Sequence, residues 1–419
     1  MDRGERRRHF GVYLAGLRRA TGKSQRQVAA LLCAVSGTQS VTRTEVSRWE
    51  RGRRVPDVWL PWLAQLLAVP LRELEQAAAY ARGEEWARLP GPAASLVALL
   101  PEGNPLHPGA DTRGRRVGAT EVTALAGRVH ALRLADDVLS GGDLIDPAFW
   151  ELGTALALYR ESTFTEDTGR GLLVQIGELS QITGWIASDA GRLADAERAY
   201  RIGLDAARHA GDASLAGNLA GSLAYQWSNN GRTREGVDLA EAALREAEHA
   251  AAPVRALFAD RVAWAHTRAG TPEGTQAAME ALGQAHEALD TPSDDEPAPP
   301  WAYWVSREEL EVMDARVFTE LRRPLRAVPL LTDVLARYDA THARELALYR
   351  SWLAVALADA GEPEQAADEA RRVIALSGDL SSQRTTDRTR DVLQRLTSYA
   401  SVPEVRSVLT DHGHLLPAV

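Results

Sequence analysis

Four stretches of this 419-residue chain follow one pattern. They are GWIASDAGRLADAERAYRIGL (184–204), AYQWSNNGRTREGVDLAEAAL (224–244), AWAHTRAGTPEGTQAAMEAL (263–282) and AVALADAGEPEQAADEARRVI (354–374). Each opens on a small residue (Gly184, Ala224, Ala263, Ala354), ends a helix at a glycine and begins a second helix. The turn glycines Gly191, Gly231 and Gly270 lie 40 and 39 residues apart. Small residues also stand in the second helices, at Ala196, Gly236 and Ala366, so the paired helices can approach closely. A helix pair of this kind cannot bury its apolar face alone and must stack on the next one. No strand signal occurs from about Thr120 onward, so the chain is expected to be all-α.

Val317 to Tyr338 reads as a degenerate copy that turns near Arg322, after the acidic, proline-rich insert TPSDDEPAPP (291–300), an expected exposed loop. Helix pairs also fit 121–140 with 147–162, and 384–399 with 402–410 as a terminal cap. Over residues 172–376 the pattern resembles the tetratricopeptide repeat. The period is longer than the usual 34, and the proline that commonly closes a repeat is mostly missing. The resemblance implies an α-solenoid whose first helices line a concave face.

In three consecutive repeats an aromatic follows the small residue: Trp185, Tyr225 and Trp264. In tetratricopeptide repeats that position usually faces the groove. Asn218 and Asn229 are expected to share the face with Tyr225, and Asp260 and Arg268 with Trp264. An Asn amide can serve a peptide's donor and acceptor together, and three of the chain's four Asn lie within 218–230. These seven residues are the candidate effector site, for a peptide or an apolar small molecule. The other reading of the aromatics is packing between repeats, which is the assignment of Trp227, Phe258 and Trp352.

The N-terminal region is of another kind. Phe10, Tyr13, Leu14 and Leu17 mark an amphipathic helix, which Thr21-Gly22 stops. Ser24 caps a second helix with Val28, Leu31 and Leu32 inward, running on through Val35, with a polar loop over Ser36–Ser40. Thr42-x-x-Glu45 is a capping-box signature for a third helix, with Val46 and Trp49 turned to the core and Gly52 beyond its end. A fourth helix is expected from Pro61 and a fifth over Leu71–Tyr80. Cys33, the one cysteine, lies in an apolar run and is expected to be buried.

Residues 10–80 resemble the Xre/Cro-type helix-turn-helix domain, through Ser24-Gln25, Val28-Ala29, Val46-Ser47-Arg48-Trp49-Glu50-Arg51-Gly52, Pro56 and Leu71-x-x-Leu74. The stretch CAVSGTQSV is longer than that family's tight turn. The resemblance implies that the third helix enters a DNA major groove. It makes Arg43, Thr44, Ser47 and Arg48 candidate base contacts, and Gln25, Arg26, Arg51, Arg53 and Arg54 candidate phosphate contacts. Arginine forks suit both guanine edges and phosphate oxygens.

Charge divides the same way. Residues 1–86 carry 15 basic and 9 acidic side chains, a net of +6, whereas the remainder carries 33 against 48, a net of −15. A basic head on an acidic body points to one polyanion-facing end. Boundaries are expected at 1–86 for the head, 87–119 for a Pro/Gly-rich linker with one short helix near Ala93–Leu100, and 120–419 for the repeats. Arg113, Arg115 and Arg116 make that linker basic. A single cysteine excludes a disulfide framework, and no signal core or membrane span is found, so a cytoplasmic location is expected.

No P-loop, HExxH, GxSxG or strand–GxGxxG–helix occurs, the histidines lack ligand spacing, and Asp411-His412-Gly413-His414 reads as a polar terminal turn. No catalysis, metal or cofactor is expected. The order of head, linker and repeats resembles the RRNPP quorum-sensing regulators. That resemblance implies a homodimer joined through the repeats, double-stranded DNA as partner, and a peptide effector that moves the heads. The alternative is an adaptor whose repeats bind a protein partner while the head serves for docking.

Overall fold

The computed structural model describes residues 3–20, 23–36, 38, 40–67, 69, 71–84, 116–247, 249–291, 297–337, 343–378 and 382–416. Two units divide the chain, Met1–Leu100 and Pro101–Val419. Helices make up both. Among the described residues the one β feature is an isolated parallel bridge between Arg116 and Thr163. The expected linker helix, Arg113 and Arg115, the Thr21-Gly22 stop and positions 292–296 of the acidic insert lie outside the described residues.

The head holds α1 (Arg3–Ala20), α2 (Gln25–Ser36), α3 (Arg43–Glu50), α4 (Leu60–Leu67) and α5 (Leu71–Arg82). Its core gathers Phe10, Tyr13, Leu14 and Leu17 of α1, Val28 and Leu32 of α2, Val46 and Trp49 of α3, Leu63 and Leu67 of α4, and Leu74 of α5. Each fully buried side chain of this size is worth about 1.5–3 kcal/mol. Small residues on α5, Ala77, Ala78 and Ala81, complete the seal.

Three expectations for the head need correction. Leu31 is exposed, because the inward stripe of α2 is carried by Val28, Ala29 and Leu32 alone. Cys33 is only half-buried, and its thiol donates to the Val41 carbonyl at 3.3 Å. The fourth helix starts at Leu60, after a short 3-10 turn over Asp57–Trp59, with Pro61 inside its first turn.

The body is a stack of helix pairs: α6 (Ala119–Asp136) with α7 (Gly141–Glu161), α8 (Glu166–Asp189) with α9 (Leu193–Ala210), α10 (Ala213–Asn229) with α11 (Thr233–Glu246), and α12 (Ala252–Ala269) with α13 (Pro272–Asp290). There follow α14 (Arg307–Glu320) with α15 (Pro324–Arg337), α16 (Ala343–Ala360) with α17 (Pro363–Ser377), and α18 (Gln383–Leu396) with α19 (Pro403–His412). Gly191, Gly231, Gly270 and Gly361 sit at the turns with φ between +66° and +83°. At the α14–α15 turn the same job falls to Arg322, at φ +53°. The Arg323 amide there reaches back to the Phe318 carbonyl at 2.8 Å, as the Arg192 amide reaches Ala187 at 2.8 Å after α8. These are six-to-one Schellman closures. Close packing explains Gly184: a Cβ there would fall 2.5 Å from the Tyr200 ring of α9.

The stack curls until its ends meet. The first helices α8, α10, α12, α14, α16 and α18 each pack on the next, and α18 returns to α8. Closure is polar. Arg344 of α16 donates to the Asp136 carbonyl at 2.6 Å, to its carboxylate at 3.1 Å and to the Leu139 carbonyl at 3.2 Å. Ser382 donates to Asp189 at 2.9 Å, and the Tyr303 hydroxyl to Asp137 at 2.7 Å. The first helices therefore face one another around a closed ring and do not line a groove open along one side.

Candidate nucleic-acid interface and effector site

The candidate reading helix of the head is α3. Thr42 caps it, its hydroxyl accepting from the Glu45 amide at 3.3 Å. The reciprocal half of the capping box is not made; the Glu45 carboxylate turns outward to Arg48 at 2.7 Å and Arg54 at 3.8 Å. With Val46 and Trp49 buried, helical geometry forces Arg43, Thr44, Ser47, Arg48 and Arg51 outward. Arg43, Thr44, Ser47 and Arg51 line one shallow polar recess. The helix ends in a Schellman motif: Gly52 takes φ +66°, its amide reaches the Trp49 carbonyl at 2.9 Å, and the Arg53 amide reaches that of Arg48 at 2.9 Å. This abrupt stop leaves Arg53 and Arg54 exposed on the exit loop.

Glu50 anchors the helix. Its carboxylate accepts from Arg18 at 2.5 Å and from the Gln25 amide at 2.7 Å, and it is mostly buried. One side chain thereby ties α1, α2 and α3 together. Gln25 is half-buried in this bond, while its neighbour Arg26 is exposed. Arg48 and Arg54 are free to leave Glu45 at small cost, since exposed ion pairs contribute about 0–1 kcal/mol.

In the body, Trp185, Tyr225 and Trp264 form one ladder. Ring centroids are 5.7 Å apart for the first pair and 5.9 Å for the second. Trp352 of α16 extends it, edge-on to Trp264 at 5.7 Å. Asn229 joins two rungs, donating to the Tyr225 carbonyl at 2.9 Å and accepting from the Trp264 indole at 3.1 Å. Asn218 is buried two turns before Tyr225 on α10, and Asp260 is buried beside Arg261, 3.6 Å away. Arg268 stands 5.9 Å from the Trp264 ring and pairs with Glu320 at 2.7 Å. Trp185, Tyr225, Asn229 and Trp264 thus come together along the ladder, Asn218 and Asp260 are buried on the same helices, and Arg268, expected on the same face, is exposed beside Trp264.

Arginines cover the ladder's faces. Arg261 lies 4.8 Å from the Tyr225 ring, Arg316 4.6 Å from Trp264, Arg384 5.2 Å from Trp185 and Arg388 3.4 Å from Trp352. Arg316 also donates to the Tyr225 hydroxyl at 2.6 Å. Burial pushes the Tyr225 phenol up, but the guanidiniums of Arg316, Arg384 and Arg261 outweigh it and hold its pKa below the usual tyrosine value. Burial raises Asp260 against the pull of Arg261 and Arg316. Around the Tyr225 hydroxyl the guanidiniums dominate.

A family model described as a helix-turn-helix domain matches residues 9–77. No curated protein is significantly similar to the chain. The matched span runs from within α1 to within α5 and takes in α2, α3 and α4 whole, and with them the arginines of α3. Among the described residues no helix is long and apolar enough to cross a membrane, and no group of three or more His, Cys, Asp or Glu could hold a metal ion.

Reasoning from the sequence missed Glu50 as an anchor, Trp352 as a rung, and Arg261, Arg316, Arg384 and Arg388 as the ladder's cover. Trp352 lacks the position that betrays the other rungs, since Ala354 follows it instead of preceding it. Arg384 and Arg388 stand four apart, one helical turn, on α18. That spacing was legible, but nothing local says that the turn faces inward.

Proposed function

We propose that the chain is a cytoplasmic, sequence-specific DNA-binding regulator of transcription. The helix-turn-helix head reads the major groove through Arg43, Thr44, Ser47 and Arg48, while Gln25, Arg26, Arg51, Arg53 and Arg54 hold the phosphates. The observation that carries this reading is the outward, arginine-rich face of α3, mounted on a buried Val46–Trp49 underside and stopped sharply at Gly52. Gln25 keeps its bond to Glu50 and offers its remaining amide hydrogen.

The body, with its tetratricopeptide-like pairs, dimerises and senses an effector in the order of the RRNPP regulators. Two heads then meet half-sites about 34 Å apart or a multiple of that distance. The closed ring, with Trp185, Asn218, Tyr225, Asn229, Asp260 and Trp264 as its effector residues and Arg268 exposed beside Trp264, favours a compact effector over a long extended peptide. An effector with different affinity for two arrangements of the dimer shifts their populations. The same closure speaks against the adaptor reading, since a protein partner needs an open groove.

Gel shift on the DNA upstream of the chain's own gene, across a salt series, tests the reading. Retardation that weakens steeply with salt is expected, because phosphate contacts release counterions. An adaptor gives no retardation and no salt-sensitive retention on heparin.

A further inference from the structure

We propose that the body's interior binds an oxyanion, a carboxylate or phosphate borne by a small effector, held by Arg316, Arg388 and the Tyr225 hydroxyl. The inference rests on the effector reading above and specifies its chemistry.

Three observations converge. The first is unused hydrogen-bonding capacity. Arg316 Nε and Arg388 Nη2 are buried and have no partner. Arg316 has no carboxylate partner among the described residues; its one hydrogen bond goes to Tyr225. Arg388 spends its other nitrogens on Ser351 at 3.1 Å and Asp391 at 3.0 Å, with Glu320 at 3.8 Å, and Asp260 acts on Arg316 from beyond ion-pair distance. Arginine does not lose its proton in proteins, so the charge cannot be relieved by titration. An orphaned buried donor on such a group is costly.

The second observation is orientation. Arg316 and Arg388 both lie over Trp352, at 5.6 and 3.4 Å, and Arg316 also covers Trp264 and Tyr225. The aromatic rings restrict where the two guanidiniums can move, while Arg316 Nε and Arg388 Nη2 keep N–H groups unused. A planar fork fixed in this way meets a carboxylate or phosphate with little further loss of freedom. The third is the local field. Four arginines from three helices, α12, α14 and α18, surround the Tyr225 ring or its neighbours, and Arg316, Arg384 and Arg261 hold the pKa of that phenol below the usual tyrosine value against its burial. A negatively charged oxygen is what this environment stabilises.

The test uses the full chain, with thermal melting and tryptophan fluorescence as readouts. The probes are benzoate, its neutral isostere benzamide, inorganic phosphate, and the dipeptide Ala-Leu with a free or an amidated C-terminus, against sodium chloride at matched ionic strength. At least one oxyanion should raise the melting temperature saturably and change tryptophan emission, with its neutral counterpart inert. Benzoate or phosphate acting without the peptide identifies a free small acid, and the free-ended peptide acting alone identifies a chain terminus. Arg316→Met should weaken binding by at least about tenfold, the loss of one charged hydrogen bond. Should that variant not fold, Tyr225→Phe supplies the same comparison. The proposal is overturned if no oxyanion exceeds chloride, if charged and neutral partners act alike, or if both variants bind as the parent does. A culture extract that shifts melting while every oxyanion is silent sinks the anion site and leaves the effector reading standing. Silence from extracts and probes together sinks both.

Discussion

Replacing Arg344 by methionine tests the closure of the body at its most buried point. The Arg344 side chain is 4 % exposed and meets Asp136 at 3.1 Å and Asp189 at 3.8 Å, themselves 7 % and 1 % exposed. Methionine fills much of the volume but strands the Asp136 carboxylate without its ion-pair partner, while Asp189 keeps Arg384 at 3.5 Å. Removing one partner of a buried pair costs about 3–5 kcal/mol. With an unfolding entropy of about 2.1 cal/mol/K per residue, a body of roughly 300 residues loses about 5–8 °C in melting temperature. The loss should depend on pH. Burial raises the Asp136 pKa in the folded protein, and Arg344 is the main group pulling it down. Without Arg344 the folded-state value rises further above the unfolded one. A carboxyl of that kind favours the fold below its unfolded pKa, and the benefit is lost as pH climbs through the folded pKa. The variant's deficit should therefore be larger near pH 8 than near pH 5, because lowering the pH moves Asp136 toward its neutral form and relieves the unpaired charge. Calorimetry of both proteins at the two pH values gives the answer. A shift under about 2 °C, or a deficit as large at pH 5 as at pH 8, would refute the claim that this contact closes the stack.

The head offers three further tests. Arg48→Ala should cost about 1–3 kcal/mol of operator affinity and relax preference at one base pair, measured by binding to a library of operator variants; unchanged preference would move the base contact elsewhere. Arg53→Ala should weaken binding to all sequences alike and reduce the salt slope by about one unit, which a salt titration on specific and random DNA measures. Gly52→Ala forces a side chain into φ +66° and its methyl into the Arg7 carbonyl, so the head should lose about 2–4 kcal/mol, visible as faster amide exchange in α3. In the body, Arg322→Gly removes a left-handed non-glycine residue at an exposed turn; urea unfolding should show a change between zero and about +1 kcal/mol, and a clear loss would mean that the arginine side chain matters there.

The head was legible because its signals are local. A cap at Thr42, an apolar pair at Val46 and Trp49 and a glycine at position 52 each act within one or two turns, and helix geometry then dictates which residues face out. Where the reading failed, a neighbour from another helix decided the outcome. Leu31 satisfies the apolar spacing of α2 as well as Leu32 does, but no helix comes to cover it. The outward turn of the Glu45 carboxylate depends on Arg48 and Arg54, which compete for it with the backbone amide that a capping box requires.

In the body the register of turn glycines located the helix pairs, and the small residue before Trp185, Tyr225 and Trp264 placed them on one face. The curvature of the stack was not legible, because it accumulates from small rotations at every interface. Its consequence is that α18, far along the chain, lands opposite α8, so that Arg384 covers Trp185 and Arg388 covers Trp352. In sequence those arginines sit in QRTTDRTRDVLQRL, a polar helix with the look of a solvated cap. A charged residue is ordinarily read as exposed because burying it costs several kcal/mol. Here the aromatic faces meet part of that cost, and the N–H groups left unused are the reason to seek an anion inside the ring.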